Sequence, residues 1–229
     1  MFYPDRIKSV SPTDRVLEIG PGADPHPRSD ILLELRLPGD EDYAVQFGHT
    51  RKLQTDKQVV FYDGGVFPFK DKEFDYVICS HVIEHVENVP EFLSEIFRVG
   101  RKGYIEYPLI TYEYLHNIKA HLNYFKWNGT ILHYMKKDDS PLNHFKPVQN
   151  FFFSTLLNGY DEFYTHLSNY FFEGFEWHQP FIYEESRDIE LYTIFENQVP
   201  KNVRVHTNDQ SAKALIRSLL GKVKRRIRM

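Results

Sequence analysis

At 229 residues, 41% of them hydrophobic and 26% charged, the chain can bury the core of one sizeable domain without disulfide staples. The net charge of −4 conceals an acidic body and a basic end: residues 211–229 carry seven Lys or Arg and no acid, leaving 21 basic against 32 acidic residues elsewhere. That balance disfavours a duplex-wrapping nucleic-acid protein, the single cysteine (Cys79) excludes a disulfide framework, and no apolar run approaches the roughly 18 residues of a membrane span.

In chain order, RVLEIG (15–20), DILLEL (30–35), QVVFY (58–62), FDYVICS (74–80) and GYIEYP (103–108) are continuous apolar runs rather than alternating ones. Such runs predict strands buried on both faces, as in the parallel sheet of a doubly wound α/β fold. Between the fourth and fifth runs, NVPEFLSEIFRVGRKG predicts a helix. Asn88 is its N-cap, Pro90 lies in the first turn and Glu91 suits the positive helix end. Val89, Phe92, Leu93, Ile96 and Phe97 form one apolar stripe, and Gly100 or Gly103 ends the helix. About ten residues, including Pro25 and Pro27, separate the first strand from the second, too few and too proline-rich for the usual crossover helix.

From residue 112 to 172 the texture changes to Tyr, Phe, His and Asn, which reads as a mostly helical, aromatic-rich lid inserted over the sheet. WHQPFIYEE and IELYTIFE, joined by SRD, read as a closing antiparallel pair of strands. The expectation is one domain over residues 1–229, with the lid inside it and residues 211–229 as a basic tail. In that tail Leu215, Leu219, Val223 and Ile227 recur every four residues, an amphipathic pattern suited to an anionic membrane surface. The start, MFYPDRIKSV, lacks a secretory h-region. The expected location is cytoplasmic, with the tail allowing attachment to the inner face of a membrane.

Two constellations carry chemistry. VLEIGPGADP runs a strand into a turn where Gly20 and Gly22 leave the backbone bare for a ligand, and Glu18, Glu34 and Asp63 fall at or near the ends of successive strands. CSHVIEHV (79–86) spells the inverted zinc-peptidase signature through His81, Glu84 and His85. A zinc site of that type needs a helix through both histidines. Here FDYVICS is a strand ending near Ser80, and Pro90 opposes helical geometry at Val89. The zinc peptidase is therefore disfavoured, no metal is expected, and Glu84 and His85 are expected to brace the loop.

VLEIGPG, then YDGGVFPFKDKEFDYVICSHVIEHVENVPEFLSEIFRV, then GRKGYIEYP, resembles the class I, Rossmann-like methyltransferases that use S-adenosylmethionine; the likeness runs from about Arg15 to Pro108. The resemblance implies that Glu18, Gly20 and Gly22 meet the methionine end of the cofactor and Glu34 its ribose hydroxyls. It implies that Asp63 and Gly64 meet the adenine, and that Ser80 and His81 lie beside the methyl-bearing sulfonium. His81 is the candidate proton acceptor, with Glu106 as base or acceptor-holding group. Tyr107, Tyr112, His116, His121 and Trp127 are the candidate acceptor-binding residues of the lid. A looser likeness to surface-glycan methyltransferases makes a sugar hydroxyl of a glycan or glycolipid the leading acceptor. The alternatives are a small phenolic or other metabolite, or a module that binds S-adenosylmethionine without chemistry.

Overall fold

The computed structural model describes residues 3–36, 53–143, 145–157, 165 and 167–193. The chain divides into two units, Met1–Thr193 and Ile194–Met229. The second, with the basic amphipathic segment 211–229, lies outside the described residues.

The first unit is built on a six-stranded sheet. Its strands are β1 (Val16–Ile19), β2 (Ile31–Leu35), β3 (Gln58–Tyr62), β4 (Phe74–Ser80), β5 (Gly100–Pro108) and β8 (Phe172–Trp177), in the order β3-β2-β1-β4-β5-β8. The first five are mutually parallel and β8 runs antiparallel to β5. The parallel part is the sheet that the apolar runs predict, and β8 completes a Rossmann-like arrangement with an antiparallel last strand. The central strands are buried along most of their length, with Val16, Leu17, Leu32, Leu33, Val77, Ile78 and Cys79 at 0% exposure. β3 departs from the expectation of two buried faces. It lies at the end of the strand order, so Phe61 is 53% exposed.

The expected helix is α1 (Val89–Val99), crossing from β4 to β5. Asn88 caps it, its side chain accepting the Glu91 N–H at 3.2 Å, and Val89, Phe92, Leu93 and Ile96 are buried. Gly100 ends the helix in extended geometry and is already the first residue of β5. As expected, no helix follows β1.

The 112–172 insertion contains helical segments and a β-hairpin that the aromatic texture hid. The helices are α2 (Ile110–His116), α3 (Lys146–Leu157) and α4 (Ser168–Phe171); the hairpin is β6 (Asn123–Trp127) with β7 (Ile131–Lys136). Its turn is Asn128-Gly129, with Gly129 at φ +99° and Asn128 Oδ1 accepting the backbone N–H of Thr130 and Ile131. That dipeptide is a strong hairpin signal in the sequence.

The closing strands pair differently from expectation. FEGFEW forms β8 and joins β5, while β9 (Ile182–Glu185) runs parallel to β7 in a second, three-stranded sheet. The described part of IELYTIFE, residues 189–193, forms no strand. Asp188 Oδ1 accepts the Glu190 N–H at 3.1 Å and starts a 3-10 turn over Ile189–Tyr192, because a capping aspartate offers the backbone a local alternative to a ladder. Tyr192, fully buried, packs with Ile110, Tyr124 and Met135 between the elements. No helix among the described residues is long and apolar enough to cross a membrane.

Candidate active site

In the strand order β3-β2-β1-β4, the chain reverses direction of travel across the sheet beside β1, and ligands of open α/β sheets bind outside the carboxyl ends of the strands at such a point. A cleft of about 540 Å³ lies there, within the range of small-molecule sites. It takes wall residues from the ends of the first four strands and from the β4–α1 connection, among them Gly20, Glu34, Asp63, His81, His85 and Asn88.

Gly20 has φ +59°, and a Cβ there would lie 2.5 Å from Val82 Cγ2. Only glycine fits both the backbone and the contact, so bare peptide faces the cleft. Glu18 is 1% exposed and does not line it. Its Oε2 accepts the His26 N–H at 2.7 Å and the Ser29 hydroxyl at 2.6 Å, bracing the loop that stands in place of a helix. Lys57 Nζ donates to the carbonyls of His26 and Pro27 from the other side. His26 is buried, and its Nδ1 accepts the Arg28 N–H at 3.2 Å, closing the same loop. Gly22, also at φ +59°, turns that loop without reaching the cleft wall.

Glu34, 6% exposed, accepts the Leu35 N–H on Oε1 at 3.0 Å, and its Oε2 has no hydrogen-bond partner among the described residues. Burial pushes its pKa up to about 7. A buried, half-satisfied carboxylate on a cleft wall is built for a ligand that donates to it. Asp63 is exposed and ion-paired with Arg36 at 3.2 Å; with Gly64 it forms the next stretch of wall.

His81 has φ +57°, an uncommon conformation for a residue with a Cβ. Its N–H donates to the Glu106 carbonyl at 2.9 Å, extending the β4–β5 ladder by one bond, and its ring sits edge-on to Phe172. Both ring nitrogens face carboxylates: Nε2 lies 3.3 Å from Glu106 Oε1 and Nδ1 3.4 Å from Glu84 Oε1. Burial alone would lower its pKa, but Glu106 and Glu84 outweigh it and hold it at about 9. At neutral pH the ring is therefore a cation that donates. The two carboxylates favour the protonated ring over the resting proton acceptor expected from the sequence.

Glu106 does not reach the cleft. Its carboxylate gathers the Ser80 hydroxyl at 2.8 Å, the Tyr104 hydroxyl at 2.6 Å and Arg6 Nη1 at 3.3 Å. Burial pushes its pKa up, yet His81, then Tyr104 and Ser80, bring it below the usual value, so it stays ionised behind His81. Ser80 is likewise behind the wall.

None of the five candidate acceptor residues of the insertion lines the cleft. Tyr107 is fully buried and donates to Glu173 at 2.8 Å; Tyr112 and His116 stack on each other at 4.1 Å. His121 is buried and pairs through Nδ1 with Glu113 Oε1, and Trp127 stacks on Phe175 at 4.1 Å. Aromatic faces that cover one another are not open to an acceptor. The sequence reading missed Tyr62, His85, Asn88, Glu91 and Phe92 as wall residues. Their signal was position, in that each follows a strand end or opens the next helix.

Residues 42–105 match the family model of the methyltransferase domain. That stretch, just over a quarter of the chain, is similar to the methyltransferase domain. S-adenosylmethionine is the cofactor of that family, and the bare peptide at Gly20 with the unmatched oxygen of Glu34 fit it. Over 59 residues, a quarter of this chain, the sequence is 44% identical to the bifunctional methionine biosynthesis protein MetXA/MetW of Rhodopirellula baltica. The matched stretch spans about a tenth of that curated relative's length. Among solved structures, the YcgJ protein of Bacillus subtilis is similar at 17% identity, over 47% of this chain and 54% of that one, with a TM-score of 0.33. An S-adenosylmethionine-dependent methyltransferase of Mesorhizobium loti is similar at 15% identity, over 47% of this chain and 52% of its own, with a TM-score of 0.34.

Proposed function

We propose that the protein is an S-adenosylmethionine-dependent methyltransferase that methylates a sugar hydroxyl of a glycan or glycolipid. Glu34 carries the cofactor half of this reading. It is a buried carboxylate with one unmatched oxygen, at the end of β2 and on the cleft wall. A ribose diol supplies the donors it takes. Asp63 and the Gly64 backbone then take the adenine, and the bare peptide at Gly20, in the loop braced by Glu18, takes the methionine end.

When bound, the cofactor supplies an electrophilic methyl group on a sulfonium. Transfer to a hydroxyl would form a C–O bond as the C–S bond broke, with S-adenosylhomocysteine as the leaving group and the acceptor's proton passing to water. In-line displacement draws its rate mainly from alignment. His81, its ring fixed between Glu84 and Glu106, sets the shape and charge of the cleft wall at the acceptor end. The exposed Glu87, Asn88 and Glu91 on the rim support a hydroxyl-rich acceptor over an apolar phenol, since their oxygens accept from hydroxyls. The basic segment 211–229 is proposed to hold the protein on the anionic surface where lipid-linked glycans are built.

Incubation with methyl-labelled cofactor and a panel of glycans, phenols and RNAs tests the acceptor. Label transfer to phenols or RNA but to no glycan overturns the sugar assignment.

A further inference from the structure

The H-x-x-E-H stretch does not act as its spacing suggests. His81, in its left-handed conformation, has its two ring nitrogens between Glu84 and Glu106, and Ile83–His85 is a single 3-10 turn rather than a helix. The other two members, Glu84 and His85, meet a third residue from the far side of the insertion, His121. One ligand-capable atom from each of the three lies within 4.8 Å of the others. The turn and the 118–122 segment are tied together by the Leu122 N–H, which donates to the Glu84 carbonyl at 2.7 Å.

Three features make this more than a chance cluster. Glu84 is fully buried; Oε1 faces His81 at 3.4 Å, and Oε2 has no hydrogen-bond partner among the described residues. His85 Nδ1 lies 2.9 Å from the Ala120 carbonyl, which can only accept, so Nδ1 carries the proton and Nε2 the lone pair. His121 Nδ1 is paired with the buried carboxylate Glu113, which in the same way leaves Nε2 as the ligating nitrogen. A carbonyl and a carboxylate behind two imidazoles is the outer arrangement that orients histidines on transition metals. The two rings stand perpendicular with centroids 4.6 Å apart. A bound ion would draw the three donors to the ~2.0–2.2 Å of Zn–N and Zn–O bonds.

We propose that Glu84, His85 and His121 bind one divalent transition-metal ion of the zinc class, held from behind by Glu113. His85 also lines the cleft, so the ion would sit beneath the floor next to His81 and lock the β4–α1 connection to the insertion. The donor set of two imidazoles and one carboxylate suits Zn²⁺ or Co²⁺ and disfavours Mg²⁺ or Ca²⁺, which prefer oxygen. The inference does not depend on the methyl-transfer reading.

The test uses the full chain, stripped with a chelator and titrated with Zn²⁺ and Co²⁺ alone, with Co²⁺ followed by its visible d–d bands. One equivalent should bind with at least ~100-fold preference over Mg²⁺. His121→Ala and Glu84→Gln should each lose the site, and Glu113→Gln should weaken it ~10–100-fold. His133→Ala, in a histidine paired with Glu184 elsewhere, should leave it unchanged. Circular dichroism and S-adenosylhomocysteine binding on the same samples separate loss of the site from loss of the fold. If Glu84→Gln fails to fold, His121→Asn decides in its place. No stoichiometric metal, or uptake that survives His121→Ala or His121→Asn, overturns the proposal. Cofactor binding in a protein that takes no metal would refute this inference alone.

Discussion

Glu34 gives the sharpest quantitative test of the cofactor assignment. Its carboxyl is buried, one oxygen is unmatched, and its pKa stands at about 7 against 4.5 for an ordinary glutamate. Because the folded value is raised, the native state holds this proton more tightly than the unfolded chain. The group therefore lowers stability as pH rises from about 4.5 to about 7, by about 3 kcal/mol at the upper end. A ligand whose hydroxyls donate to the carboxylate favours the ionised form and reverses that cost. Affinity should then climb with pH up to about 7 and level off. Between pH 8 and pH 5.5 the ionised fraction falls ~30-fold, and so should the affinity for S-adenosylhomocysteine. In Glu34→Gln the charge-assisted bonds are lost, at about 1.5–3 kcal/mol for each, so binding at pH 8 should weaken by at least ~10-fold. The variant should also lose the slope with pH. Titration calorimetry on both proteins over the same pH series measures this, and the variant cancels any titration of the ligand itself. A wild-type affinity that is flat with pH, or an equal slope in Glu34→Gln, would refute the reasoning.

Other outcomes follow from the same geometry. Gly20→Ala combines a left-handed backbone, costing about 1–2 kcal/mol, with a Cβ 2.5 Å from Val82 Cγ2. Thermal melts and cofactor titration should both suffer, and Val82→Ala should recover part of the loss; no recovery would show that the contact is not the cause. His81→Ala should keep cofactor affinity within a few-fold while turnover collapses, and full activity would remove His81 from the acceptor end. Asn88→Ala deletes the α1 cap, which is worth about 1 kcal/mol, or roughly 2–4 °C in Tm for a chain of this size. An unchanged melt would place the cap outside the cooperative unit. Deleting residues 211–229 should abolish binding to anionic vesicles, and vesicle binding that persists counts against the membrane role.

The parallel strands and α1 were legible because their signals are local. Continuous apolar runs mark β1, β2, β4 and β5, and Asn88, Pro90 and Glu91 announce a helix start within four residues. Glu34 and Asp63 could be placed on the cleft for the same reason, since each ends or directly follows a strand. What the sequence concealed depends on distant partners or on single backbone angles. FEGFEW carries two glutamates and a glycine, so its antiparallel pairing with β5 is visible only in the register Ile105–Phe175. The insertion's rings could be counted but not oriented, and they cover one another instead of facing the cleft. His81 was placed by its position after β4. Its positive φ and the two carboxylates around its ring, one of them 25 residues onward, could not be read from that position. The meeting of Glu84 and His85 with His121 depends likewise on how the insertion folds back.

The central claim is that the cleft over β1–β4 is a site for S-adenosylmethionine. Calorimetry of the purified full chain at pH 8 with S-adenosylmethionine, and separately with S-adenosylhomocysteine, tests it most directly. The account predicts one equivalent of each, competing for a single site and weakened together by Glu34→Gln. Folded protein that binds neither would contradict it.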